Sequence, residues 1–259
     1  MALSLAAFVS SAIAVADGPV ISYPANGIVN SADNLATDLA PNVIASLYGV
    51  NLSYSTLGVS AGDIHDGMLP TVLPSTGVQV IVNGELAPIF YVSPKQINFL
   101  IPSNLLPGPV YVQTTLDGRQ GPKVQVILEE SAPALYLLDQ QTVVSIRADG
   151  SVVNDSAPGR SGDWIELFAT GLGDVIPPVA SGEIPTAAAR IVAMQEFQVL
   201  LDGAPVDAKQ IGYAGVAPGF GGLYQINLKL PAGFASNPEI QIALGKRISP
   251  RGIHLPAQP

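Results

Sequence analysis

Hydrophobic residues in this chain recur in short runs at a spacing of two, and turn residues interrupt them every ten positions or so. The run 78–82 alternates valine with Gln79 and Ile81 and then meets Asn83-Gly84. Asn-Gly between two apolar runs predicts a tight hairpin, because both central residues of a type I′ turn need positive φ. The return strand is 87–92, and a further strand, 96–100, is stopped by Pro102. Asp117-Gly118 joins 110–114 to 124–128, Asp149-Gly150 joins 143–147 to 151–154, and Asp202-Gly203 joins 197–201 to 208–213 by the same chemistry. Residues 20–29 read as a lead-in strand and 41–52 as the first strand block, with 163–170, 240–244 and 253–255 as later strands. Helix-period runs are scarce beyond the N-terminus, so the prediction is all-β.

The pattern occurs twice. Gln96-Ile97-Asn98 followed by Pro102 returns as Gln225-Ile226-Asn227 followed by Pro231. Val78-Gln79-Val80-Ile81-Val82-Asn83-Gly84 returns as Phe197-Gln198-Val199-Leu200-Leu201-Asp202-Gly203, and Leu47-Tyr48-Gly49-Val50-Asn51-Leu52 is echoed by Leu167-Phe168-Ala169-Thr170-Gly171-Leu172. Three blocks in the same order, about 115 to 130 positions apart, indicate a tandem duplication of a unit of roughly a hundred residues. Each copy holds about seven short strands, the signature of an immunoglobulin-like β-sandwich. The expected domains are 17–133 and 134–259, with the junction at Pro133-Ala134-Leu135-Tyr136.

Composition narrows the function classes. The chain has 259 residues, 26 Gly and 23 Pro, and only 12% of its residues are charged. Its net charge of −9 reflects few basic residues rather than acidic runs, which excludes a nucleic-acid footprint and disfavours an anionic membrane surface. With no cysteine, disulfides, thiolate chemistry and thiolate zinc sites are excluded. Residues 3–16 form an apolar, small-residue run ending Ala14-Val15-Ala16. This reads as a secretory signal peptide over 1–16, although no Lys or Arg precedes the run; a buried first helix is the other reading. The mature chain is expected to begin near Asp17, to carry no integral membrane segment, and to lie outside the cell or on its surface.

The motifs resemble a family of bacterial domains abundant in acidobacteria, usually called the Solibacter or acidobacterial C-terminal domain. The matching residues include Val29-Asn30-Ser31-Ala32, Val82-Asn83-Gly84, Ala87-Pro88-Ile89-Phe90-Tyr91-Val92-Ser93-Pro94 and both Gln-Ile-Asn motifs. Ala169-Thr170-Gly171-Leu172-Gly173 and Ala214-Gly215-Val216-Ala217-Pro218-Gly219-Phe220 also match. The resemblance covers roughly residues 25 to 256 and implies an extracellular Ig-like fold. It brings no catalytic residues with it.

Candidate chemistry is sparse. Gly58-Val59-Ser60-Ala61-Gly62 fits the nucleophile-elbow spacing, but it lies between strands with no helix after it. Ser60 as a hydrolase nucleophile is therefore an alternative rather than the main reading. Asp63, His65 and Asp66, or Asp149, Asn154 and Asp155, could offer oxygens to calcium, yet neither set follows a loop pattern for that ion. The expectation is no metal and no cofactor. Gln96/Asn98 and Gln225/Asn227 share one strand face while Ile97 and Ile226 point inward. They are read as structural amides serving loop backbone at a sandwich edge, or else as a polar ligand ladder. Asn83, Gly84, Asp202 and Gly203 are structural turn residues. The segment 214–224, with Tyr213, Phe220 and Tyr224, is the best binding candidate. It presents aromatics to a glycan or partner chain, or tucks Phe220 between the domains. The resulting expectation is a non-catalytic surface module with a structural, adhesive or ligand-binding role, whose partner is a surface protein or glycan, or a second copy of itself. A fibre built by strand complementation, with 20–29 as the donor strand, is the alternative.

Overall fold

The computed structural model describes residues 18–36 and 38–259, so the expected signal peptide lies outside the described residues. The first half is two antiparallel sheets packed face to face. One sheet has the order β1-β2-β7-β6-β3, from Ile28–Asn30 (β1), Ile44–Tyr48 (β2), Gln96–Leu100 (β7), Ile89–Val92 (β6) and Leu57–Gly58 (β3). The other runs β10-β8-β4-β5, from Val124–Leu128 (β10), Gly108–Leu116 (β8), Val78–Val82 (β4) and Glu85–Leu86 (β5), with Arg119–Gln120 (β9) hydrogen-bonded to β8. Alternation drives the packing. Val78, Val80 and Val82 are buried while Gln79 and Ile81 are half-buried on the opposite face.

The second half repeats this arrangement. Its larger sheet joins Ala134–Leu135 (β11), Trp164–Thr170 (β14), Tyr224–Lys229 (β20), Ile211–Val216 (β19), Ala189–Ile191 (β16) and Val175–Ile176 (β15), in that order, with Ser145–Ile146 (β12) also on β14. The facing sheet has the order β18-β17-β21-β22, from Ala204–Pro205 (β18), Phe197–Leu201 (β17), Ile240–Leu244 (β21) and Arg247–Ile248 (β22). Gly159–Arg160 (β13) and Ala257–Gln258 (β23) add a short parallel pair. β2-β7-β6 thus corresponds to β14-β20-β19, and β8-β4-β5 to β21-β17-β18. Both halves even carry a register shift at the same place, between Ile89 and Tyr91 and between Ile211 and Tyr213. This strand order is that of an immunoglobulin-like sandwich.

The turns follow the chemistry of their residues. Asn83-Gly84, Asp117-Gly118 and Asp202-Gly203 all have positive φ at both positions, the type I′ geometry. Asp149-Gly150 departs from it: only Gly150 enters the left-handed region, and the arms there are a two-residue strand and an isolated bridge, Ile146–Val152. The lead-in is strand only at Ile28–Asn30, after a 3-10 turn at Ala25–Gly27 that follows Pro24. Residues 208–210 form a 3-10 turn capped by the Asp207 side chain, so β19 begins at Ile211 and runs to Val216. Residues 253–255 hold only isolated bridges, from His254 to Thr142 and to Glu239.

Two hydrophobic cores result. One draws on residues from Ile21 to Ala132, the other on residues from Leu135 to Ala257. The halves are joined by a bonded seam rather than a loose linker. Asn42 Nδ2 donates to the Tyr224 hydroxyl at 3.0 Å, and the Ile44 amide donates to Thr170 Oγ1 at 3.2 Å. The Ser31 and Tyr136 hydroxyls share a hydrogen bond of 2.8 Å. The backbones of Leu69 and Gly182, and of Ile184 and Gly67, pair at 2.8 Å each.

Candidate functional site

The two Gln-Ile-Asn motifs occupy central strands, β7 and β20, and not a sheet edge. Ile97 and Ile226 are fully buried, so the amides point out of each sandwich. Gln96 Nε2 donates to Asn98 Oδ1, and Gln225 Nε2 to Asn227 Oδ1, at 2.8 Å in both cases. The amides therefore bond to each other on central strands, and not to loop backbone at a sandwich edge, which corrects that expectation. Each pair is flanked by aromatic side chains on neighbouring strands. Gln96 lies opposite Tyr48 and Asn98 opposite Tyr91, while Gln225 lies opposite Phe168 and Asn227 opposite Tyr213.

One corner distinguishes the two faces. The pair Ile44–Leu100 in the first sandwich corresponds to Trp164–Lys229 in the second. The first corner is covered. Gly222 sits so close that a Cβ there would collide with Leu100 Cδ1 and lie 3.2 Å from Ile44 Cγ1, while a Cβ at Gly221 would lie 2.8 Å from Leu69 Cδ1. The second corner is open, and Trp164 is 47% exposed. Its six-membered ring rests on Gly212, where a Cβ would come within 2.9 Å of Cζ3. Tyr213 lies over Gly215 in the same way, its hydroxyl donating to Val216 O at 2.7 Å and approaching Ala189 O at 3.1 Å. Arg190 stacks 5.5 Å from the Tyr213 ring centre and donates to Gly212 O at 2.8 Å. Burial raises the Tyr213 phenol above its ordinary pKa.

The three aromatics expected to bind fall in three environments. Tyr213 is on the sheet face just described. Phe220 is 61% exposed, so the ring is not tucked between the halves; the glycines beside it make that contact instead. Tyr224 is fully buried in the second core, and its hydroxyl donates to Gly173 O. It presents nothing to a ligand, because the strand alternation that points Gln225 outward points Tyr224 inward. Sequence reading missed Trp164, Glu166 and Phe168, although their spacing of two in β14 was a usable signal. Their meeting with Asn227 and Gln225 depends on strand pairing across the chain, which local pattern does not carry.

The other candidates have local roles. Ser60 Oγ donates to Asp63 Oδ2 at 2.6 Å inside a capping box of the 3-10 turn at Ala61–Asp63, and this bonding holds the Asp63 carboxyl below its usual range. Asp149 Oδ1 accepts from the Ser151 amide, and Asn154 Oδ1 from the amides of Ser156 and Ala157, all at 2.9 Å. Among the described residues no group of three or more His, Asp or Glu is placed to hold a metal ion. No helix among them is long and apolar enough to cross a membrane.

Two further features lie along the seam. A cleft of about 860 Å³ opens between the halves, lined among others by Glu129, Glu130, Asp174, Glu196, Lys246 and Arg247; Arg247 and Glu129 form an ion pair. Near Ser31 and Tyr136, Asp33 Oδ1 accepts from the Leu35 amide at 2.8 Å, while its buried Oδ2 has no hydrogen-bond partner among the described residues. Burial, with the Asp38 carboxylate nearby, pushes the Asp33 carboxyl up to about 7. Burial also pushes the Tyr136 hydroxyl up to about 12.

No family model and no curated protein matches the chain. It is similar to the surface glycan-binding protein PbSGBP-B from Prevotella bryantii, at 12% identity and a TM-score of 0.29, covering 91% of this chain and 41% of that one. It is similar also to SGBP-B of the Bacteroides ovatus mixed-linkage glucan utilization locus in complex with a mixed-linkage heptasaccharide, at 12% identity and a TM-score of 0.33, covering 85% and 41%. Domains 5–6 of the S-layer protein SbsC align over 93% of this chain and 98% of that one, at 8% identity and a TM-score of 0.30. The chain spans about two fifths of the length of the first two proteins.

Proposed function

We propose that the chain is a non-catalytic, exported module that binds a ligand at the cell surface, with its two sandwiches acting as one unit. The observation that carries this reading is the open sheet face of the second sandwich, where aromatic rings border hydrogen-bonding groups that have no protein partner among the described residues. The bonded seam supports action as a unit, because it fixes the open face relative to the first sandwich. The leader-like run before Asp17 and the motifs shared with the acidobacterial C-terminal domain family support export and membership of that family. A catalytic use of Ser60 gains no support from its geometry, since its hydroxyl serves a turn cap with Asp63. Ser60→Ala should leave any esterase activity unchanged while lowering stability by about 0.5–1 kcal/mol.

The fibre alternative needs a free donor strand, and 20–29 is engaged in its own sandwich. Ile28 pairs with Leu47, Ser22 bridges Val50, and the Tyr23 hydroxyl donates to Pro122 O at 2.6 Å. Light scattering coupled to size exclusion, with negative-stain microscopy of the same fractions, tests the choice. A monodisperse monomer is expected. Ordered polymers that vanish when residues 17–30 are deleted would replace the module reading with the fibre.

A further inference from the structure

We propose that the outward face of β14, β20, β19 and β16, centred on Trp164, Glu166 and Asn227, is a binding site for the pyranose rings of a polysaccharide. The inference rests on the module reading above and specifies its ligand.

The face combines two kinds of surface. Trp164 supplies an apolar ring surface anchored at one edge by Gly212, and Phe168 stands four positions along the same strand, about 13 Å away, with Glu166 between them. Between and beside the rings lie groups with open hydrogen-bonding capacity. Asn227 Oδ1 is taken by Gln225, but Asn227 Nδ2, Gln225 Oε1, the Glu166 carboxylate, Trp164 Nε1 and the Lys229 amine have no protein partner among the described residues. Donors and acceptors are thus interleaved on one face.

That mixture selects among ligand classes. A purely apolar partner would strand these polar groups, leaving each one buried without a hydrogen bond. A simple anion would meet the Glu166 carboxylate. A pyranose fits both halves of the face: its axial C–H surface lies on an aromatic ring, and its ring hydroxyls each donate and accept. Spacing agrees as well, since the two rings stand far enough apart to meet different sugar units of one extended chain.

The two sandwiches provide an internal control. In the first, the corner matching Trp164 is Ile44 and Leu100, covered by Gly222 of the second sandwich. Some polar groups there are engaged, since Asn98 Oδ1 accepts from both Ser46 and Gln96 and the Tyr48 hydroxyl donates to Asn34 Oδ1 at 3.1 Å. Asn98 Nδ2 and Gln96 Oε1 have no protein partner among the described residues, like their counterparts in the second sandwich. What is particular to the second sandwich is the uncovered corner with its exposed indole, Trp164.

Pyranose rings come as neutral or as uronate polymers; the Glu166 carboxylate on this face favours the neutral kind, and the test separates them. The chain and its Trp164→Ala, Glu166→Gln, Asn227→Ala and Tyr48→Ala variants are run in affinity gels containing a neutral β-linked glucan or a polyuronate, with circular dichroism confirming each fold. The chain is expected to be retarded in at least one polymer. Trp164→Ala should weaken retardation ~10-fold or more, with smaller losses for Glu166→Gln and Asn227→Ala and none for Tyr48→Ala. Uronate binding would fade as salt is raised, and glucan binding would not. Retardation unaffected by Trp164→Ala would overturn this site while leaving a binding module. No retardation in either polymer by folded protein would overturn the pyranose assignment, and the module reading falls with it only if the protein also polymerises.

Discussion

Gly222 and Gly219 belong to one loop, share a left-handed backbone and differ in what surrounds them, so the pair isolates the energetics of the seam. Gly222 has φ of 71° and is packed against Leu100 and Ile44 of the first sandwich; Gly219 has φ of 87°, and a Cβ added there would meet nothing within 4 Å. Gly219→Ala should cost only the strain of an L residue in that region, about 1–2 kcal/mol. Gly222→Ala carries the same strain plus overpacking against Leu100, which is buried and has little room to yield; this adds about 1–3 kcal/mol. At a urea slope of about 2 kcal/mol per M, the two midpoints should differ by about 0.5–1.5 M. Unfolding followed by Trp164 fluorescence reports the second sandwich, and circular dichroism reports both. If the seam couples the halves, the two signals move together in Gly222→Ala. Equal midpoints for the two variants would refute a packed seam, because the neighbours of Gly222 would then contribute nothing.

Three further outcomes follow from the same structure. Tyr224→Phe removes a hydroxyl shared by Asn42 of the first half and Gly173 of the second, and should cost about 1–2 kcal/mol; adding Asn42→Ala should cost less than the sum, which a double-mutant cycle reads directly. Asp33 holds its proton in the folded state up to about pH 7, against an ordinary value of 3.8. The folded state therefore binds more protons between those values, and stability should fall as pH rises through that window, by up to roughly 4 kcal/mol; Asp33→Asn should flatten the slope in urea midpoints taken from pH 4 to 8. Asn83→Val and Asp202→Val place β-branched residues at φ of 52° and 50° and should each lose about 1–2 kcal/mol by thermal unfolding. The loss should be larger at Asp202, whose Oδ1 also accepts from the Glu239 amide at 2.9 Å.

Local chemistry made much of the fold legible. Asn83-Gly84 and Asp202-Gly203 announce their turns because few other pairs tolerate positive φ twice, and the Val78–Val82 alternation assigns its two faces without ambiguity. Asp149-Gly150 shows the limit, since the same dipeptide type adopts another turn where its flanking strands are too short to impose hairpin twist. The site was less legible. Gln225 and Asn227 stood out by repetition, yet their aromatic neighbours come from β14 and β19, and no local pattern says which strands pair. Tyr224 misleads for a related reason: it follows directly on a glycine-rich loop in the sequence, whereas as the first residue of β20 it already obeys the strand alternation and turns inward.

The most direct test follows the indole N–H resonance of Trp164, the one tryptophan in the chain, during titration with glucan and uronate oligosaccharides. A saturable shift with one of them, reaching its midpoint at a higher concentration in Asn227→Ala, is the result this account predicts. An indole signal that stays fixed at every concentration, while the protein remains folded and the oligosaccharide binds elsewhere or not at all, would contradict it.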